Sequence, residues 1–149
     1  MCRWIAFPLA LALVAAGCGG GEPAEDTSEA APDSLALAQE AFDAAMFDTV
    51  TWETDTEAEE RGAVVYQYSC RKCHGERGLG DADFVRQGDT LRPPSFREPD
   101  WTFAQDKAGL MEQVFVGNAE GMPHWGLAGL KAKDVDAVAT YILNVLLTG

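Results

Sequence analysis

The chain opens with an uncharged apolar run over residues 4–16, behind a single positive charge at Arg3. Thirteen residues are too few for a membrane-spanning helix, which needs about 20, and the pattern reads as an export signal. Residues 19–33, rich in Gly, Ala, Pro and acids, have too little apolar surface to fold and read as linker. Apolar positions then return at helical spacing. Leu35, Ala38, Phe42, Ala45 and Met46 predict a short amphipathic helix capped at Asp33 or Ser34. Its apolar face leaves two readings open: a solvated, partly helical tether, or docking of Phe42, Phe47 and Trp52 onto the main domain. Residues 57–69 predict a second helix with Gly62, Val65, Tyr66 and Ser69 on one face, and it runs into Cys70 and Cys73. Gly, Asp and Pro then dominate as far as Pro99, which reads as loop. Helical periodicity resumes over residues 101–116 through Leu110, Val114 and Phe115, and stops at Gly117-Asn118. Val135, Val138, Ile142, Val145 and Leu146 mark a last helix, with Asp134 and Asp136 in its first turn. There is no strand signal and no internal repeat.

Charge changes this picture in one respect. The net charge of -13 is concentrated in residues 19–60, which hold 13 of the 24 acidic side chains and no Lys or Arg. From Arg61 onward the chain has 10 basic and 11 acidic residues, so the folded part is nearly neutral. Nucleic acid is excluded as a partner. The chain divides into three segments: 1–17 as signal, 18–56 as acidic tether able to hold a short helix, and 57–149 as a single folded domain.

Each of the four cysteines needs its own reading. Cys2 lies in the removable leader. Cys18 closes Ala15-Ala16-Gly17-Cys18, small residues before a cysteine, which resembles the lipobox of bacterial lipoproteins. The resemblance implies that Cys18 receives a diacylglycerol and becomes the new N-terminus, anchored to the periplasmic face of a bacterial membrane. It departs from the commonest pattern in having Ala15 where leucine is usual. An ordinary export signal, with Cys18 incidental, is the alternative.

Cys70-Arg71-Lys72-Cys73-His74 has the spacing of c-type haem attachment: two thiols three residues apart on one helical turn, followed by an iron-facing histidine. A structural zinc site would want two further ligands, and His124 is the only other histidine. A thioredoxin-like redox pair would want a βαβ context, which is absent. From about Ala58 to Leu147 the chain resembles the class I c-type cytochromes, with Gly62 and Tyr66 at that family's glycine and aromatic positions before the first cysteine. The resemblance implies an all-α cytochrome c fold of about three to five helices around one covalently bound haem c. It also implies a helix crossing between Gly62 and the stretch 137–142, and electron transfer rather than catalysis.

By the same resemblance, Gly121-Met122-Pro123 looks like the methionine loop that supplies the sixth iron ligand, a soft thioether that raises the potential. His124 could ligate instead, or Met122 could merely pack beside an open iron. Met111 fits a helix core better, and Met46 lies in the leader. A proline carbonyl, from Pro93 or Pro94, would accept the His74 ring N–H, and Phe96, Trp101 and Trp125 would wall the porphyrin. These features together describe a membrane-tethered, single-haem electron carrier with unnamed redox partners. A haem sensor or peroxidase-like enzyme is the alternative if the distal position is open, and a fixed subunit of a membrane oxidoreductase is another. With only Lys72, Lys107, Lys131 and Lys133 as lysines, balanced by acids, electrostatic steering toward a partner would be weak.

Overall fold

A computed structural model describes residues 33–149, apart from Gln87. The export signal and Cys18 lie outside the described residues. Helix α1 is Ser34–Ala41, with Asp33 as its cap: the Asp33 carboxylate accepts from Leu35 N–H at 3.0 Å. A 3-10 turn, Ala44–Phe47, comes next behind a matching cap at Asp43. Helix α2 is Asp55–Val65, where Thr54 Oγ1 accepts from Glu57 N–H at 3.1 Å. Its ladder widens through a π-type turn, Tyr66–Cys70, and continues into the short helix α3, Arg71–His74. Helix α4 is Lys107–Val116, and α5 is Ala132–Tyr141, ending in a second π-type turn, Ile142–Leu146.

Two sequence expectations change. The stretch read as loop contains an antiparallel hairpin, β1 Phe84–Arg86 paired with β2 Asp89–Leu91, turning at Gly88 with φ +96°. Three-residue strands are too short to show the alternation that marks a strand in sequence. The helix expected from residue 101 begins only at Lys107, because Asp106 caps it by accepting from Gly109 N–H at 2.8 Å. Residues 101–106 form tight turns instead, with Ala104 N–H bonded to Trp101 O and Asp106 N–H to Phe103 O.

The expected crossing is present between α2 and α5. A Cβ placed on Gly62 would stand 2.6 Å from Tyr141 Cβ and nearer still to the Ala137 carbonyl oxygen. Only a residue without a side chain admits that approach. Arg61 and Asp134 pair at 2.6 Å beside the contact. The core beneath consists of Val65, Tyr66, Leu110, Val114, Val135, Val138, Ile142 and Leu146.

The segment before α2 packs on the domain. Ala38 is fully buried with Phe115 and Val116, and Phe42 meets the Phe115 ring edge-on at 5.6 Å. Phe47 lies against the main core. Trp52 Nε1–H donates to Asp136 Oδ1 at 2.7 Å, and the same carboxylate pairs with Lys107 at 2.7 Å. Asp136 is therefore a buried anchor for this segment, while Asp134 stays in the first turn of α5.

Candidate functional site

The π-type turn sets the site up. One extra residue per turn between Tyr66 and Cys70 rotates the succeeding helix α3, so that Cys70 is buried and Cys73 and His74 are presented on the same side. Tyr66 fixes the far end of α3 by donating its hydroxyl to the Gly75 carbonyl at 2.7 Å. Cys70 and Cys73 are free thiols. Burial pushes the Cys70 thiol up to about 12, with Cys73 adding to the shift, and burial also raises Cys73, against Lys72 and Arg86 nearby.

His74 stacks on Phe96, with ring centroids 4.9 Å apart and planes 29° from parallel. Burial lowers its pKa to about 4, so the ring is neutral at pH 7 and keeps a lone pair for a ligand. Its Nδ1 is buried without a hydrogen-bond partner. A buried polar atom left unpaired is costly unless the ring is engaged by something else. Neither Pro93 nor Pro94 supplies the carbonyl that the cytochrome resemblance implied. The Pro93 carbonyl instead packs directly over Gly80, whose N–H bonds to the His74 carbonyl at 2.9 Å.

A cavity of about 470 Å³ opens beside this turn. Cys70, Cys73 and His74 line one side, and Met122 lines it from the loop after α4. Phe96, Trp101 and Trp125, the expected walls, all border it, as do Pro93 and Pro94. The side chains thus comprise two thiols, a neutral imidazole, a thioether and aromatic surface, the donor set and apolar lining that a covalently bound haem requires.

The Met122 loop is held from several directions. Gly117 turns the chain at φ +71°, and a Cβ there would meet the Met122 and Pro123 carbonyl oxygens at 2.5 Å. Asn118 Oδ1 accepts from Met122 N–H at 2.9 Å, and Asn118 N–H donates to the Met122 carbonyl at 3.2 Å. Gln113 Nε2 lies 3.5 Å from the Met122 sulfur, and Arg86 reaches the Gly121 carbonyl at 3.1 Å. In the sequence Gly117-Asn118 mark only the end of a helix, and Gln113 and Arg86 carry no signal, because the hold on Met122 comes from tertiary placement and belongs to no spaced motif.

The competing ligands sit elsewhere. His124 does not line the cavity; Nδ1 is 2.5 Å from the Val116 carbonyl and Nε2 is 3.0 Å from Ser34 Oγ. Met111 packs against the main core and Met46 against the α1 cluster. Among the described residues no group of three or more His, Cys, Asp or Glu side chains could hold a bare metal ion.

Residues 57–142 match the family described as cytochrome C oxidase, cbb3-type, subunit III. The chain is similar to the cbb3-type cytochrome c oxidase subunit CcoP of Azospirillum brasilense, at 32% identity over 92 residues, 62% of this chain and 30% of that protein. It is also similar to CcoP of Cereibacter sphaeroides, at 30% identity over 88 residues, 59% of this chain and 28% of the relative. FixP of Azorhizobium caulinodans, likewise a cbb3-type oxidase subunit, is 28% identical over 88 residues, 59% of this chain and 27% of the relative. The matched stretch is thus less than a third of each relative's length. No solved structure matches the chain.

Proposed function

The chain belongs to the family of cytochrome c oxidase, cbb3-type, subunit III, and from that membership we propose that it is an electron-transfer cytochrome serving as a fixed subunit of a membrane oxidoreductase. The relatives carry the names of oxidase subunits, which favours this reading over the free membrane-tethered carrier that the sequence by itself suggested.

One haem c fits the cavity's donor set: Cys70 and Cys73 would hold it through thioethers, and His74 and Met122 would ligate its iron. When bound, it supplies a one-electron iron couple. The observation that carries the proposal is the convergence of Cys70, Cys73, His74 and Met122 on one aromatic-walled cavity. The Cys70–Cys73 turn anchors one edge of the group. His74, neutral because it is buried, offers its lone pair. Met122 offers a soft sulfur, which favours the reduced state. Phe96, Trp101 and Trp125 keep water from the site. No side chain is assigned a catalytic role.

Among the described residues no helix is long and apolar enough to cross a membrane. Attachment is assigned to a diacylglycerol on Cys18 after removal of residues 1–17, at the periplasmic face of a bacterial membrane. Membranes solubilised in mild detergent and run on a native gel test the proposal. Stained for haem, the chain is expected to migrate in a stoichiometric complex with other oxidoreductase subunits and to keep its haem on a denaturing gel. Migration alone would restore the free carrier, and loss of haem under denaturation would overturn covalent attachment.

A further inference from the structure

We propose that Ser34 and His124 are positioning residues for the Met122 loop, and that helix α1 is a strap holding this loop shut over the cavity. The inference rests on the reading of Met122 as distal ligand and concerns what keeps it in place.

The Val116 carbonyl can only accept, so its 2.5 Å contact puts the ring proton of His124 on Nδ1. In the neutral imidazole Nε2 is then an acceptor, and the Ser34 hydroxyl, 3.0 Å away, donates to it. One ring therefore joins three points: the end of α4, the loop two residues beyond Met122, and the first residue of α1. Ser34 and His124 are 90 positions apart, so only tertiary packing brings them together. That packing is substantial. Ala38 is fully buried against Phe115 and Val116, and Phe42 covers the outer edge of the Phe115 ring. The same ring fills the space where Gly126 lacks a side chain, and Gly126 N–H bonds to the Phe115 carbonyl at 3.0 Å.

Both ends of the stretch 117–126 are thus fastened to residues that α1 covers. The other fasteners, from Arg86, Gln113 and Asn118, come from within the stretch that matches the family, residues 57–142. Helix α1 lies outside it, so the strap comes from beyond the matched domain. A loop with one more fastening opens less often, and exogenous ligands reach iron only when it opens.

The test uses the full-length holoprotein. Ser34→Ala removes the donor. His124→Asn keeps an amide N–H near the Nδ1 position for the Val116 carbonyl but cannot reach Ser34. Three measurements separate the arms: hydrogen exchange of the Asn118, Met122 and Gly126 amides, the rate of cyanide binding to the oxidised form, and the sulfur-to-iron charge-transfer band. Loss of one net hydrogen bond is expected to speed loop exchange and cyanide uptake by about three- to tenfold in each single variant. The α5 amides should keep their protection. The double variant should be no faster than either single, because both substitutions cut one link, and Ser34→Thr, which retains the hydroxyl, should restore wild-type values. Unchanged loop exchange in both singles, or additive effects in the double, would overturn the strap. A wild type lacking the charge-transfer band, with Met122→Ala binding cyanide no faster, would sink the distal-ligand reading; loop exchange would still decide the strap.

Discussion

A thioether sulfur is neutral and soft, so its position relative to iron matters more than its charge, and Met122 owes its position to hydrogen bonds around it. Asn118 holds its N–H, Gln113 faces its sulfur, and Gly117 folds the chain back onto its carbonyl. On the proposed ligation, replacing Met122 with alanine would remove the distal ligand and leave the thioether attachments untouched. Covalent haem should survive on a denaturing gel. The charge-transfer band of the oxidised protein should vanish, the midpoint potential should fall, and carbon monoxide should bind the reduced form readily. A variant with wild-type spectrum and potential would move the ligand elsewhere. Sequence made the Cys70–His74 turn legible as a candidate attachment site because its residues are consecutive and its chemistry is local. Met122 was legible only through resemblance to a known loop, since 48 residues separate it from His74. The contacts that Asn118, Gln113 and His124 make around this loop were not legible at all.

Helix α2 owes its position to one missing side chain. At Gly62 the backbone of α2 lies against the Ala137 carbonyl and Tyr141, and van der Waals repulsion leaves no room for a methyl group. Gly62→Ala gains helix propensity, by about 1 kcal/mol, yet must push α5 away or tilt α2. Overpacking of this kind costs about 1–3 kcal/mol, occasionally more. The net outcome expected is a holoprotein with a lower melting temperature and an unaltered haem spectrum; a melting temperature at or above wild type would show that the crossing tolerates a methyl group. This crossing was readable through the cytochrome resemblance, which implies a glycine at this position against the last helix. The hairpin and the turns of residues 101–106 were not. In both, apolar residues serve the cavity rather than a helix face: Leu91 on β2 and Trp101 and Phe103 in the turns all line it. A periodicity argument sees only the surface that an element buries against its neighbours, and a cofactor-sized cavity redirects that surface.

On the scale of the whole chain, the sequence left two readings of the segment after Asp33 open, a solvated tether or docking on the domain, and the docked one is found. Residues 34–54 pack on the domain through Ala38, Phe42, Phe47 and Trp52, which shortens whatever leash runs back to Cys18. A shorter leash suits a subunit seated beside its partners better than a carrier ranging between complexes. The proposed function calls for two attachments to the membrane, a lipid on Cys18 and contact with other subunits, and they differ in chemistry. Insertion of acyl chains is hydrophobic and resists salt, whereas polar protein contacts at a rim weaken as ions screen them. Wild-type protein is therefore expected to stay with washed membranes at high salt. Cys18→Ala, lacking the lipid, should keep its haem and its spectrum. It should remain partly membrane-associated at low salt through its partners, and should be released into the soluble fraction by a high-salt wash. Retention of a cleaved Cys18→Ala protein at high salt would mean that subunit contacts alone suffice. Retention of an uncleaved one would mean that residues 4–16 anchor the chain themselves, against the expectation from their length.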